Sequence, residues 1–273
     1  MQRDFGKKTI TGLSTALRTS ASAVVVGVSG LVCFATPASA EIVFFDNFQV
    51  AGGNNGQPLA GTTPDVVPVG ASNWVTNNTS NPRTQGGQVT VTANTANRTA
   101  YVLNVPVTPT SEMLIVEFTG VIDPVGSRWI DVNLYDDDVT PTTGANTQLG
   151  VRVRAGDTSN TAQLRVNNLL VTGASVDVDL GPQPFVLTYN ASTNTASLTV
   201  GTTVVADNAD LGTFTPVIDG VGMNFQVPVG GAFGNLQPRV DTLQVEIIPE
   251  PATLGLVLAS GFLILGRGQR ASG

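Results

Sequence analysis

The feature that most restricts the fold is a two-residue alternation of apolar and polar side chains that recurs through residues 41–248. No stretch of this region keeps a helical periodicity for three turns. Clusters of Gly, Asn and Pro separate the alternating runs, as is typical of turns. The clearest early runs cover residues 88–92, 113–118, 129–135 and 149–154. The pattern therefore predicts an all-β domain of antiparallel strands.

A second set of runs predicts a three-stranded meander. Apolar residues alternate over residues 185–189 and 196–200, and a polar turn at residues 190–194 lies between them. Residues 201–202 turn the chain again before a short run at residues 204–205. Strands at this spacing predict an antiparallel β-sandwich closed as a jelly roll. Two tandem immunoglobulin-like domains are the alternative, but the sequence shows neither an internal repeat nor a Pro-rich linker.

The run of residues 185–205 resembles the strand run of concanavalin A-like lectin and laminin G-like jelly rolls. In that family a closing strand returns beside the first strand of the domain. The resemblance therefore implies that residues 239–247 pair with residues 42–48. It bears on the fold more than on the function.

The first forty residues have the composition of a secretory signal peptide. Basic residues precede an apolar run at residues 21–34, and the small residues Ala38 and Ala40 fit the pockets of a signal peptidase. Cleavage is therefore predicted before Glu41. The apolar run is shorter than the roughly 20 residues that cross a bilayer, which disfavours the alternative of an uncleaved membrane anchor.

Residues 249–273 form a tail with a proline-flanked glutamate, a mostly apolar stretch and a basic end. These parts are Pro249-Glu250-Pro251, residues 254–265, and Arg267 with Arg270. The prolines end the preceding strand because they cannot donate a ladder hydrogen bond. The apolar stretch is expected to form a short helix that anchors the chain transiently, since it is too short to span a membrane comfortably. A buried core helix, the alternative, is disfavoured by its glycines.

This tail resembles the PEP-CTERM sorting signal of bacteria that make exopolysaccharide. The resemblance implies Sec export, brief insertion of the tail in the inner membrane, recognition by an exosortase, and release to the cell surface or matrix. The chain is thus divided into a signal peptide (1–40), a β-sandwich domain (41–248) and a sorting tail (249–273).

Composition excludes several kinds of chemistry once residues 1–40 are removed. The remaining chain has no cysteine, lysine or histidine. Thiol nucleophiles, Schiff-base lysines, Ser-His-Asp triads and imidazole zinc sites are therefore excluded. Nine arginines and nineteen acidic residues give a net charge of −10. A nucleic-acid partner is disfavoured because phosphate neutralisation needs clustered cations, which the sequence does not show.

Two carboxylates are the remaining option for catalysis. A glycosidase needs an acid and a nucleophile or base flanking one bond, and the glucan-hydrolysing relatives carry Glu-x-Asp-x-x-Glu on a single strand. Glu112 and Glu117 are five residues apart and would face opposite sides of a strand. Asp131 and Asp136 do not reproduce the spacing either. The sequence therefore favours a non-enzymatic protein, with a carboxylate-dependent glycoside hydrolase as the alternative.

The segment richest in oxygen ligands predicts a calcium site. Asp131 and Asn133 share one face of a predicted strand, and Asp136, Asp137 and Asp138 follow at its end. Calcium takes six to eight such ligands. The spacing differs from that of an EF-hand, and a solvated acidic loop is the alternative.

Trp74 and Trp129 are the candidates for stacking against a sugar ring. In the alternative, both feed the core, because each adjoins a predicted strand. Together with the terminal signals, these features predict an exported surface or matrix protein, associated with exopolysaccharide or biofilm, that binds carbohydrate. A coat protein without a small ligand is a further alternative.

Overall fold

The structure is a computed structural model that describes residues 39–49, 55–77, 82–91, 98–121, 128–136, 147–155, 159–179, 181–226 and 238–249. Ala38 and the tail beyond Pro249 lie outside this part, so signal cleavage, the apolar helix and the sorting motif remain predictions. Regular structure in these ranges is entirely β. In the same ranges no helix is long and apolar enough to cross a membrane.

Sixteen strands lie in the described residues. They are β1 (Glu41–Asp46), β2 (Asn55–Pro58), β3 (Val75–Thr76), β4 (Arg83–Gln85), β5 (Val89–Thr90), β6 (Arg98–Leu103), β7 (Met113–Val121), β8 (Trp129–Tyr135), β9 (Thr147–Arg154), β10 (Asn160–Val166), β11 (Leu169–Val178), β12 (Gln183–Asn190), β13 (Thr195–Val200), β14 (Thr203–Asp210), β15 (Gly220–Gln226) and β16 (Arg239–Ile248).

The strands form two antiparallel sheets. The nine-stranded sheet has the order β14-β13-β12-β7-β16-β5-β4-β2, with β1 also paired to β16. The seven-stranded sheet has the order β11-β10-β9-β8-β15-β6-β3. The fold is therefore an antiparallel β-sandwich of the jelly-roll type, as predicted.

The core lies between the sheets because one face of each alternating strand is apolar. Along β12, Phe185, Leu187 and Tyr189 are each 2 % exposed. The ring of Phe185 stacks on that of Phe118 in β7, with centroids 4.5 Å apart and planes 1° apart. Burying a side chain of this size contributes roughly 1.5–3 kcal/mol. A core of this kind stabilises residues 41–248, which contain no cysteine and therefore no disulfide.

The predicted closing strand and meander are confirmed. β16 pairs antiparallel with β1, with Ile42 opposite Glu246 and Phe45 opposite Gln244. β12, β13 and β14 are consecutive neighbours in the nine-stranded sheet. The polar turn falls where it was predicted, between Asn190 and Thr195.

Candidate functional site

The strand that carries two predicted metal ligands, β8, lies in the middle of the seven-stranded sheet. Its apolar residues point into the core, so Asp131, Asn133 and Tyr135 project from the opposite, outer face of the sheet, as the alternation predicted. Each of the three is only 1 % exposed. Asp131 and Asn133 therefore belong to a buried polar surface on the sheet and not to a solvated loop.

Asp131 forms a two-pronged ion pair with Arg152 of β9. The Arg152 Nε donates to Asp131 Oδ1 and its Nη2 donates to Oδ2, both over 2.6 Å. Burial raises the pKa of Asp131, and the guanidinium opposes that rise. Arg152 also lies 4.4 Å from the centre of the Trp129 ring, a cation–π contact. Trp129 therefore stands on the outer face, with one side of its ring covered by a guanidinium.

The calcium prediction stays a prediction for this segment. Each Asp131 oxygen accepts one hydrogen bond from Arg152, so the guanidinium occupies one side of this carboxylate. Asp136 is half-buried at the end of β8, and Asp137 and Asp138 lie outside the described residues. Within the described part of the chain no three acidic side chains gather into a metal-binding group.

Beside the ion pair, several buried polar atoms lack a hydrogen-bond partner. Asn133 Nδ2 donates to the Tyr135 hydroxyl over 3.1 Å, but Asn133 Oδ1 is unpaired. Asn224 of β15 lies opposite Asp131 of β8 on one side and Thr99 of β6 on the other. Neither its Oδ1 nor its Nδ2 has a hydrogen-bond partner. The Thr99 hydroxyl is also unpaired. A buried polar atom without a hydrogen-bond partner lowers the stability of the fold. The polar residues of this face are therefore not explained by their contribution to packing.

Replacing Asn224 by leucine is expected to raise the free energy of unfolding by about 1–2 kcal/mol, because the buried amide makes no compensating hydrogen bond. Urea unfolding measures the change. Asn133→Leu is the matched control and should gain less, since it also removes the bond to Tyr135. Destabilisation by Asn224→Leu would show that its amide is satisfied in solution.

A second polar site lies beside the end of β1, around a cavity of about 200 Å³. We call it the Asp46 pocket. Its lining comes from two stretches of chain, the end of β1 and the loop that follows β2. The lining residues are Asp46, Phe48, Gln49, Leu59, Thr62, Thr63 and Asp65.

Two side-chain turns shape the wall of the Asp46 pocket. The Asp46 Oδ1 accepts the backbone N–H of Phe48 over 2.6 Å, and the Asn47 Oδ1 accepts that of Gln49 over 2.9 Å. These local bonds lie at the end of β1, where the ladder stops. They also hold Phe48 at φ 56°, in the left-handed region that a bulky residue rarely adopts. The pocket wall is thus built from strained backbone, a feature that clusters at functional sites.

Asp46 lines the pocket and forms a hydrogen bond with a core residue. The Trp74 Nε1 donates to Asp46 Oδ2 over 2.6 Å. Trp74 itself is 1 % exposed and packs edge-on against Phe44 at 5.9 Å. Trp74 therefore belongs to the core, and the prediction of a sugar-stacking surface does not hold for it in this structure. Burial raises the pKa of Asp46 to about 6, and the nearby Asp65 carboxylate adds to the rise.

The Asp46 pocket presents hydrogen-bond acceptors. The Thr62 hydroxyl donates to the Leu59 carbonyl and the Thr63 hydroxyl to Asn73, so both hydrogens are used and lone pairs remain. Asp65 Oδ2 accepts one backbone N–H over 3.0 Å, which leaves further acceptor sites on its carboxylate. A ligand that fits this lining must bring donors.

The glutamates considered for catalysis do not form a site with each other. Glu112 precedes β7 and accepts the backbone N–H groups of Thr110 and Ser111, which lower its pKa. Glu117 lies on the outer face of the nine-stranded sheet, where partial desolvation and the charge of Glu246 raise its pKa. Glu112 therefore lies before the strand and Glu117 within it, so one strand does not carry both.

The Asp46 pocket was not predicted from the sequence. Asp46 and Asp65 are nineteen residues apart in the sequence and share no motif. A signal was present at the end of β1, where Asp46 and Asn47 follow an alternating apolar run, as side chains that form Asx turns do.

Comparisons with known proteins give structural similarity alone. No family model and no curated protein matches the chain. The carbohydrate recognition domain of Emp47p matches at 16 % identity with a TM-score of 0.47, over 66 % of this chain and 89 % of that one. Lectin UEA-II complexed with galactose matches at 11 % identity with a TM-score of 0.47, over 78 % and 100 %. Similarity at this level assigns neither a ligand nor an activity to the chain.

Proposed function

We propose that this chain is an exported, non-enzymatic protein of the cell surface or extracellular matrix that binds carbohydrate. The observation that carries the ligand part is the acceptor-lined Asp46 pocket of about 200 Å³. A sugar presents several hydroxyl donors on a compact ring, and the pocket offers carboxylate and hydroxyl acceptors to receive them. A cavity of about 200 Å³ suits one sugar ring rather than a long segment.

The contacts of Asp46 favour binding over catalysis. Each of its carboxylate oxygens accepts an N–H, one from Phe48 and one from Trp74, both over 2.6 Å. These bonds fix the carboxylate in one orientation and leave it able to accept from a ligand. A pre-oriented acceptor of this kind lowers the cost of ordering on binding.

Asp65→Asn is expected to weaken the binding of a neutral monosaccharide about ten-fold or more. A hydrogen bond to a charged acceptor is worth roughly 1.5–3 kcal/mol, and the change removes the charge from an exposed position of the pocket. Isothermal titration with glucose, galactose and mannose measures the effect. Asp207→Asn is the matched control, because it removes one exposed carboxylate from β14, on the opposite edge of the nine-stranded sheet. Equal affinity of both variants for every sugar would exclude the pocket as the site.

The delivery part of the proposal rests on the two ends of the chain. The signal peptide with cleavage after Ala40, and the tail that begins at Pro249, support export and sorting by an exosortase to a surface rich in exopolysaccharide. Intact-mass analysis of the protein recovered from cells tests this directly. Loss of residues 1–40 and cleavage within the tail are expected. A mass that retains both ends would contradict the proposal.

The same pocket supports a second candidate, a carboxylate-dependent glycoside hydrolase. Asp46 is buried with a pKa raised to about 6, as suits a general acid, and the exposed carboxylate of Asp65 lines the same pocket. Release of reducing ends from a panel of polysaccharides tests it. Activity that disappears in both Asp46→Asn and Asp65→Asn would establish this candidate in place of simple binding.

A further inference from the structure

Three arginine side chains gather on the outer face of the seven-stranded sheet. Arg152 and Arg154 alternate along β9, and Arg165 of β10 lies opposite Gly150. The residues between them on both strands are buried in the core, so the three arginines project outward together. With Trp129, which pairs with Arg154 in register, they form what we call the arginine face.

The positive charge of the arginine face contrasts with the net negative charge of residues 41–248. Residues 41–248 contain seven arginines, no lysine or histidine, and eighteen acidic residues. Among the described strand residues that project from this face, the acidic ones are Asp131 and Asp177. Asp131 is already paired with Arg152. Asp177 lies on the edge strand β11, where it accepts the Thr161 hydroxyl over 3.1 Å.

Arg154 and Arg165 are left without a carboxylate partner in the described part of the chain. Arg154 is exposed, and Arg165 is half-buried and donates to the Asn168 carbonyl. Burial lowers the pKa of Arg165, the charges of Arg152 and Arg154 lower it further, and the charge of Asp131 opposes this effect. Like charges held this close repel one another, and an anion placed among them would relieve that repulsion.

We propose that the arginine face binds an acidic polysaccharide through the carboxylates of its uronic acid units. A guanidinium matches a carboxylate in planar, two-pronged geometry, and Arg154 offers such a group to solvent. Trp129 is half-exposed beside it and provides an apolar surface for a sugar ring. The proposal adds a charged ligand class and a second surface to the carbohydrate binding proposed above, and it does not depend on the Asp46 pocket.

A nucleic acid fits this surface less well. Duplex DNA carries a charge about every 1.7 Å and is held by several phosphate contacts. In the part of the chain that the structure describes, Arg154 and Arg165 form no ion pair with a carboxylate. A body with eighteen acidic residues would repel a densely charged polymer. The expectation that cations are not clustered is nonetheless wrong for this face. Strand pairing brings Arg165 beside Arg154 and Arg152, which precede it by eleven and thirteen residues in the sequence.

Titration of the mature protein with oligogalacturonate at low salt tests the proposal. Wild type is expected to bind, and Arg154→Gln to bind at least ten-fold more weakly, because one exposed two-pronged contact is lost. Arg83→Gln is the control, since it removes one positive charge from β4 in the other sheet. The affinity for neutral galactose oligomers of equal length should be the same in wild type and in both variants.

Three results would overturn the proposal: no binding of oligogalacturonate by wild type, equal weakening by Arg154→Gln and Arg83→Gln, or equal affinity for a DNA oligonucleotide of the same charge. The melting temperature of each variant checks that it is folded. Neutral sugars and the Asp65→Asn variant test the Asp46 pocket, whereas oligogalacturonate and the Arg154→Gln variant test the arginine face. Failure of one proposed site can therefore be told apart from failure of the other.

Discussion

Replacing Arg152 by methionine is expected to lower the free energy of unfolding by about 3–5 kcal/mol at neutral pH. The change keeps much of the side-chain volume but leaves the carboxylate of Asp131, which is 1 % exposed, without its cation. An unpaired buried charge is among the most costly defects that one substitution can create. Chemical denaturation of the purified domain measures the loss.

The pH dependence of that loss distinguishes its cause. Without Arg152 the pKa of Asp131 should rise further, because the guanidinium opposes the effect of burial. A raised pKa makes the folded variant relatively more stable at low pH and less stable as pH increases. The deficit should therefore shrink on acidification. Asp131→Asn combined with Arg152→Met should recover most of the stability, and a double variant as unstable as the single one would contradict this account.

The second large effect concerns pH and Asp46 in the wild-type protein. Its pKa is about 6 when folded, against an ordinary value of 3.8. Because the folded value is raised, the stabilising contribution is complete below pH 3.8 and is lost as pH rises through 6. Asp46 is 6 % exposed, so screening by solvent is small. The loss should amount to about 2–3 kcal/mol.

Unfolding of wild type and Asp46→Asn at pH values from 4 to 7.5 isolates this contribution. The carbonyl oxygen of the asparagine can accept one of the two N–H groups that Asp46 accepts. Its NH2 group faces the other N–H, and two donors cannot pair. The variant should therefore be less stable at pH 4. The difference between the two proteins should narrow as pH rises, since only wild type must ionise a buried carboxyl. Parallel curves would show that Asp46 ionises in the fold as freely as in the unfolded chain.

The fold was predictable where local pattern and burial agree. β8 was predicted from end to end because apolar residues alternate from Trp129 to Tyr135. The meander was predicted because polar turn residues separate two alternating runs. The strand β15 was missed, since Gly220 and Gly222 resemble a loop. Gly222 is required by packing, because a Cβ there would lie 2.6 Å from the Ala100 carbonyl oxygen.

The sites were less predictable because they depend on partners far away in the sequence. Alternation placed Asp131 on the outer face of the sheet, but its ion pair with Arg152 depends on the register between β8 and β9. The Asp46 pocket requires a loop that brings Asp65, eighteen residues beyond Asn47, alongside the end of β1. No local period encodes such contacts, and only the register of the folded chain shows them.

The most direct test of the central claim, that this sandwich is a carbohydrate-binding protein, is a glycan array probed with the mature wild-type protein and with Asp65→Asn. We expect wild type to bind a set of glycans and the variant to lose the neutral members of that set. Failure of wild type to bind any glycan, including the polysaccharide of its own cells, would contradict the claim and leave the protein a structural coat component.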